Sequence, residues 1–228
     1  RRSLRRHGPA KELLMVEALN GALRRVPVWP LYLFGFAPAA WYLWLGVMNR
    51  LGADPVRALE HEYGLLALQL LIAALVVTPL RDLTRINLLR FRRWMGLMAF
   101  YYAALHLAVW LALDRQFAWT RVLGDLTRRP YVILGMAAFL MLVPLALTSN
   151  DRALRRLGGM RWRRLHRLAY PATALAAIHF VWLVKAWPLE PLAYAAGVAA
   201  LLLYRPIQAR IQARARERRR VGTRPAAG

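Results

Sequence analysis

Six long apolar runs constrain the fold of this chain more than any other feature. Each run approaches or exceeds the roughly 20 residues that an α-helix needs to cross the hydrocarbon core of a bilayer. The runs cover residues 31–48, 63–80, 94–113, 131–147, 165–184 and 189–204. The sequence therefore predicts an all-α fold, a polytopic membrane bundle with six transmembrane helices.

Two basic tails flank the predicted transmembrane domain of residues 31–204. They cover residues 1–30 and 205–228. Within the first tail, Lys11 to Arg25 is expected either as an amphipathic helix on anionic headgroups or as a disordered segment. Both tails are expected in the cytoplasm.

The basic residues predict the orientation of the bundle. The connections 81–93 and 148–164 are strongly basic, whereas 49–62 is slightly acidic, 185–188 is nearly neutral and 114–130 is intermediate. Because short basic connections stay on the cytoplasmic side, both termini are expected in the cytoplasm, with the chain in a bacterial inner membrane. This topology accounts for most of the net charge of +23, so no nucleic-acid partner is expected.

Three of the five histidines lie in or at the edge of the predicted spans: His106, His166 and His179. An ionisable side chain inside a bilayer is costly and usually marks a functional site. The alternative is a neutral imidazole that is hydrogen-bonded to a neighbouring helix. The chain has no cysteine, so thiolate ligation and covalent attachment of haem are excluded, and any haem is held non-covalently.

The positions of His106 and His179 favour a shared haem. They lie 12 and 14 residues after Trp94 and Leu165, on helices that run in the same direction, and are therefore expected at similar depth in the outer half of the membrane. Each follows two small residues in an A-x-x-x-A-x-x-H pattern, which are Ala99 and Ala103 in one helix and Ala172 and Ala176 in the other. Such residues leave room for a planar macrocycle between the helices, although they also allow close helix packing alone.

His166 belongs to a different site. It precedes His179 by 13 residues, which on one helix is about 20 Å of rise and roughly 140° of rotation, so the two do not ligate one iron. We expect His166 near the cytoplasmic surface, either as ligand of a second haem or beside another cofactor. The nearby arginines would suit haem propionates or the phosphate of FMN, while a topology signal and lipid contact are the alternative for each. These are Arg92, Arg93, Arg163 and Arg164.

The chain lacks the sequence signs of a catalytic domain. It has no glycine-rich dinucleotide motif after a predicted strand and no P-loop, and its longest outer connection has 17 residues. We interpret it as an electron relay whose catalytic ends belong to other proteins. The runner-up is a histidine-containing metal-ion or proton transporter. The lack of acidic partners for the histidines in the predicted helix interiors argues against a transporter. A membrane scaffold that recruits a periplasmic partner is a third interpretation.

Several motifs also resemble a known family. They are Gly52-Ala-Asp-Pro55 with Glu60-His61, Arg93-Trp-Met-Gly-Leu97 with Leu105-His106-Leu107, Thr127-Arg-Arg-Pro-Tyr131, Leu145-Ala-Leu-Thr-Ser149, and Trp162-Arg-Arg-Leu-His166 with Ile178-His179-Phe180. Over about residues 30–204 the chain resembles the ferric-reductase-like transmembrane group. Within that group it resembles the MsrQ family, the haem-binding membrane subunits of bacterial periplasmic methionine sulfoxide reductase systems.

The resemblance implies cofactors and partners. It implies haem b, in one or two copies, and bound FMN. It also implies electron transfer from a cytoplasmic NAD(P)H flavin reductase or from quinol to MsrP, a periplasmic molybdopterin enzyme that repairs oxidised methionine. The family's three functional histidines fall on His106, His166 and His179, so the resemblance leaves room for His166 as a ligand. It does not indicate which residues hold FMN.

The pairing of His106 with His179 is testable with single variants. We expect His106→Ala and His179→Ala each to abolish low-spin haem, because each removes one axial ligand, whereas His166→Ala alters a second site or a reduction potential. Visible absorption and electron paramagnetic resonance (EPR) spectra of the purified variants measure this. A six-coordinate spectrum that survives in His179→Ala and disappears in His166→Ala contradicts the pairing.

Overall fold

The structure, a computed structural model, describes residues 8–183 and 188–222, and within them the chain forms nine α-helices and no strand. The helices are α1 (Gly8–Arg25), α2 (Trp29–Val47), α3 (Pro55–Thr84), α4 (Arg92–Val109), α5 (Trp119–Arg128), α6 (Pro130–Leu147), α7 (Asp151–Leu165), α8 (Ala169–Leu183) and α9 (Leu189–Gly222). Short 3-10 turns precede α4 and α8, and a π-helical turn follows α4. The predicted all-α class is confirmed.

Five helical segments of the described chain are long and apolar enough to cross a membrane. They are Trp29–Val47, Pro55–Thr84, Leu89–Asp114, Pro130–Leu147 and Leu189–Ile211. The remaining predicted span, 165–184, falls on α8, which has 15 residues and follows the 3-10 turn His166–Leu168. Residues 184–187 lie outside the described part of the chain, so the sixth span remains a prediction.

Two of the helices, α3 and α9, extend well beyond the apolar runs that predicted them, whereas α8 is shorter than its run. α3 begins at Pro55, where the Asp54 side chain accepts a hydrogen bond from the Arg57 N–H at 3.1 Å and caps the helix. Glu60 and Glu62, expected in a connection, therefore lie in the first turns of α3. Hydropathy marks only the apolar part of a helix, whereas caps and polar helix formers decide where it begins.

The basic N-terminal segment contains a helix over Lys11 to Arg25, where the sequence left a helix and a disordered segment as alternatives. α1 binds the connection that follows α3. The Asn20 side chain donates to the carbonyl of Arg85 and accepts from the N–H of Asn87, at 3.0 and 2.8 Å. The Arg90 guanidinium donates to carbonyls in the last turn of α1, those of Leu23 and Arg24. A cation at the end of a helix also interacts favourably with the helix dipole.

α3 is the central helix of the bundle. It packs against α2, α4, α8 and α9, and it contributes to all three buried apolar clusters. Two buried tyrosines, one on α3 and one on α4, bind α2. The Tyr63 hydroxyl donates to the carbonyl of Ala39 at 2.8 Å, and the Tyr102 hydroxyl donates to the carbonyl of Gly35 at 2.6 Å.

The outside of the bundle is apolar. Phe34 on α2, Leu140 on α6 and Leu203 on α9 are each more than half exposed. A soluble monomer rarely presents such a surface, because contiguous exposed apolar area favours association. Lipid chains are a suitable environment for these side chains, so the surface agrees with a transmembrane bundle.

Candidate functional site

A cavity lies at the end of the bundle where α3 and α6 begin and where α4 and α8 approach their ends. We call it the two-histidine cavity; its volume is about 180 Å³. Its lining is mostly apolar, and the small and polar residues that matter here are Gly64, Ala103, His106, Gly135, Ala176 and His179. Antiparallel neighbours bring the helix starts and the helix ends together at this level.

The cavity brings the rings of His106 and His179 close together. Their ring centroids are 6.2 Å apart and the ring planes are nearly perpendicular, at 80°. The Nδ1 atom of His106 lies 2.8 Å from the carbonyl oxygen of Glu60 on α3. The Nδ1 atom of His179 lies 2.6 Å from the carbonyl oxygen of Tyr131 on α6. The two rings thus have equivalent partners on different helices.

These contacts assign the tautomer of both rings. A carbonyl oxygen only accepts hydrogen bonds, so each Nδ1 carries a proton and donates it. In a neutral imidazole the Nε2 atom then keeps its lone pair, which is the form that ligates a metal. Metal-bound histidines commonly donate their second N–H to a carbonyl in this way, which fixes the orientation of the ring. Both side chains are therefore prepared for coordination.

The separation of the rings suits an iron atom between them. Two metal–nitrogen bonds of about 2 Å each place the ring centroids of two opposed imidazoles roughly 6 Å apart. The described residues contain no group of three or more His, Cys, Asp or Glu side chains that could hold a metal ion. A metal that brings its own equatorial ligands, as the iron of haem does, needs only two protein ligands. The residues present therefore fit a haem.

The four alanines that precede the histidines occupy two different levels. Ala103 and Ala176 line the two-histidine cavity. Ala99 and Ala172, one turn earlier, are fully buried and pack with Leu71, Leu142 and Leu145. Because four residues on a helix advance by about 6 Å, one pair belongs to the cavity wall and the other to the layer beneath it.

That layer separates the two-histidine cavity from a second cavity at the opposite end of the bundle. Leu71 and Leu142 line both cavities, so the wall between them is about one side chain thick. We call the second one the arginine-lined cavity; its volume is about 890 Å³. This is within the usual range of small-molecule and cofactor sites.

Five arginines line this second cavity: Arg90, Arg92, Arg93, Arg163 and Arg167. Three of the four arginines suggested by the sequence are among them, whereas Arg164 is not. Arg163 lies in the last turn of α7, and Arg167 lies in the 3-10 turn that follows it. Both contribute to the cavity lining, and the sequence analysis did not identify Arg167.

Not all of these charges are equally available. Arg93 pairs with Asp151 at 2.8 Å, and this hydrogen bond, together with the positive charge, lowers the pKa of the Asp151 carboxyl. Arg90 binds the end of α1, as described above. Arg92, Arg163 and Arg167 form no ion pair with the acidic residues that the structure describes. The arginine-lined cavity is thus suited to an anionic group.

His166 lines the arginine-lined cavity and is held differently from the other two histidines. Its ring stacks on Trp162 at 3.8 Å, and its Nε2 atom lies 3.1 Å from the Thr148 hydroxyl. That hydroxyl is 2.6 Å from the carbonyl of Pro144 and donates to it, so Nε2 of His166 donates to the hydroxyl oxygen. The Trp162 indole N–H also binds Thr148, at its carbonyl. In this arrangement Nε2 carries a proton, and in a neutral ring Nδ1 is then the nitrogen that keeps the lone pair.

Comparisons with known proteins find relatives over most of the chain. The family described as ferric reductase like transmembrane component matches residues 62–177. Proteins named protein-methionine-sulfoxide reductase heme-binding subunit MsrQ from Brucella ovis, Brucella canis and Brucella suis are similar to the chain. Each is 52% identical over 178 residues, which is 78% of this chain and 80% of the relative.

Proposed function

Because this chain belongs to the ferric-reductase-like transmembrane family and, within it, to the MsrQ haem-binding subunits, we propose that it carries electrons across a bacterial inner membrane to a periplasmic methionine sulfoxide reductase. The electron donor is a cytoplasmic NAD(P)H flavin reductase or the quinol pool. The acceptor is an MsrP-type molybdopterin enzyme that repairs oxidised methionine. The chemistry on donor and acceptor takes place in those partner proteins.

One observation carries this proposal: the two cavities lie at opposite ends of the bundle and share a wall. Leu71 and Leu142 contribute to both linings. Groups bound on the two sides of so thin a wall are close enough for electrons to pass between them. The residues of the wall are Leu71, Ala99, Leu142 and Ala172. Their side chains are apolar and offer no hydrogen-bonding groups to water or ions.

We assign b-type haem to the two-histidine cavity, with His106 and His179 as axial ligands. When bound, haem iron exchanges single electrons, and FMN connects two-electron donors to one-electron carriers. The carbonyls of Glu60 and Tyr131 hold the two imidazoles in the ligating tautomer. The mostly apolar lining suits the apolar faces of a macrocycle.

We assign the arginine-lined cavity to FMN, with a second haem as the alternative occupant. Its cations suit the FMN phosphate or haem propionates; Arg92, Arg93 and Arg163 line the cavity and Arg164 does not. Because Nε2 of His166 donates to Thr148 and Trp162 covers one face of the ring, we place His166 beside the FMN; with a second haem in the cavity, Nδ1 is the atom that would bind its iron.

The membrane topology follows from the same assignment. We propose six spans, with α8 as the fifth, both termini in the cytoplasm, and 31–204 as the transmembrane domain between two basic tails. The arginine-lined cavity then faces the cytoplasm, where the donor is, and the two-histidine cavity faces the periplasm. Support comes from the strongly basic connections at the arginine-lined end.

Labelling of single cysteines tests this topology, and the absence of native cysteine makes the test clean. We expect Ala53→Cys and Lys185→Cys to react with a membrane-impermeant maleimide in spheroplasts, and Arg152→Cys to react only after permeabilisation. Labelling at position 185 from outside requires that α8 crosses the membrane. Protection of position 185 with labelling at position 53 would show that α8 does not cross.

Electron transfer itself tests the relay. Haem in the purified protein is expected to be reduced by NADH, FMN and a flavin reductase, and reoxidised when an MsrP-type enzyme and methionine sulfoxide are added together. The enzyme without methionine sulfoxide is the control. Visible absorption follows both steps. Protein from haem-replete cells that shows no Soret band would rule out the relay and favour a transporter, whereas reduced haem that never reoxidises would favour a scaffold.

Two adjacent arginines provide a matched test of the FMN site. We expect Arg163→Gln to weaken FMN binding roughly ten-fold, because one charged hydrogen-bond partner of the phosphate is lost. Arg164→Gln removes the same charge outside the cavity lining and is expected to bind FMN like the wild type. Titration followed by FMN fluorescence measures both. Equal effects of the two variants would mean that net charge, not the cavity, determines binding.

A further inference from the structure

Each ligand-type histidine lies against a glycine of the neighbouring helix. A Cβ atom placed on Gly64 of α3 would be 3.0 Å from Nδ1 of His106. A Cβ atom placed on Gly135 of α6 would be 2.9 Å from Nδ1 of His179. Such contacts are closer than Cβ atoms normally make. The two rings therefore occupy the space that any side chain other than hydrogen would need.

The glycines stand in the same relation to the hydrogen-bond acceptors. Gly64 follows Glu60 by four residues, and Gly135 follows Tyr131 by four residues. In an α-helix the carbonyl of residue i points toward the N–H of residue i+4. An imidazole that donates to this carbonyl from the side must therefore lie against the backbone at i+4. Glycine at that position has no Cβ atom and leaves the space that the ring needs.

We propose that Gly64 and Gly135 are positioning residues that hold the two imidazoles in the orientation and tautomer needed for haem ligation. This inference rests on the proposed function, because it concerns how the chain holds the haem assigned there. With a methyl group at either position the ring must rotate away from the backbone. The rotation breaks the hydrogen bond from Nδ1–H to the helix carbonyl. It also turns Nε2 away from the direction in which it would bind the iron.

Close packing of helices alone does not explain these two glycines. Gly35 on α2 also lacks space for a Cβ, but there the neighbours are the Met98 side chain and the edge of the Trp94 ring, apolar groups as expected for ordinary helix packing. Gly197 on α9 has no heavy atom within 4 Å of an added Cβ. The contact with a histidine ring occurs at Gly64 and Gly135, the positions four residues after the two acceptors.

The test compares Gly64→Ala and Gly135→Ala with the control Gly197→Ala in the full-length, haem-loaded protein. Alanine is a better helix former than glycine, so the variants are expected to fold. Loss of a partner that orients a metal ligand typically lowers affinity ten-fold or more, and we expect that loss of haem affinity for both variants. The control should match the wild type.

Three measurements are made: the rate of haem transfer to apomyoglobin, the EPR spectrum of the low-spin iron, and the reduction potential. We expect faster transfer and altered EPR g values in both test variants, with the potential displaced from that of the wild type. Wild-type affinity within about two-fold and unchanged g values in both variants would overturn the inference. Absence of bis-histidine haem from the wild-type protein would instead overturn the proposed function.

If neither alanine variant folds, a measurement on the wild-type protein tests the inference. Electron–nuclear double resonance on protein with ¹⁵N-labelled histidine detects the exchangeable proton on Nδ1. A hydrogen-bonded proton on Nδ1 of both ligands supports the close backbone approach that the glycines permit. A proton that is absent or not hydrogen-bonded on either ligand overturns it.

Discussion

The hydrogen bond from an imidazole Nδ1–H to a helix carbonyl is the interaction on which this structure depends. Inside a membrane bundle an unsatisfied polar group is costly, and a histidine needs a partner on another helix. A carbonyl partner also fixes the tautomer, because it only accepts. Each bond needs a defined register between two helices: α4 against α3 for His106, and α8 against α6 for His179. Burial, protonation state and helix register are therefore one constraint.

The bundle satisfies this constraint twice with different residues. In each helix pair the acceptor lies near the start of one helix, a glycine follows one turn later, and the histidine lies toward the end of the partner helix. The acceptors are Glu60 and Tyr131. Their side chains can differ because only their backbone carbonyls take part in the hydrogen bonds. The equivalent geometry brings both rings to one cavity. A haem iron, which can take two protein ligands, would match a site built from two equivalent halves.

The helices and the approach of His106 to His179 could be predicted from hydropathy and residue spacing, because both follow from helix length and direction. The acceptor carbonyls could not, since a backbone group leaves no mark on the sequence. Gly64 and Gly135 carried no distinct signal either, because glycine is common in membrane helices. The start of α3 was misplaced because its cap and first turns are polar. Charge alone does not separate Arg164 from Arg163, and Arg167 lies beyond the end of α7 in a 3-10 turn that hydropathy does not mark.

His166 shows why the three histidines are not chemically equivalent. At the arginine-lined end its Nε2 proton is engaged by Thr148 and one ring face is covered by Trp162. Several arginines line its cavity, whereas the other two histidines line a mostly apolar cavity that also includes Glu60 and His61. Between the two environments lies the layer of Leu71, Ala99, Leu142 and Ala172. Electrons cross so thin an apolar layer without needing polar atoms, but protons and hydrated ions do need them. On the proposed function, the same layer that brings the two cofactor sites close together also keeps the bundle from conducting ions.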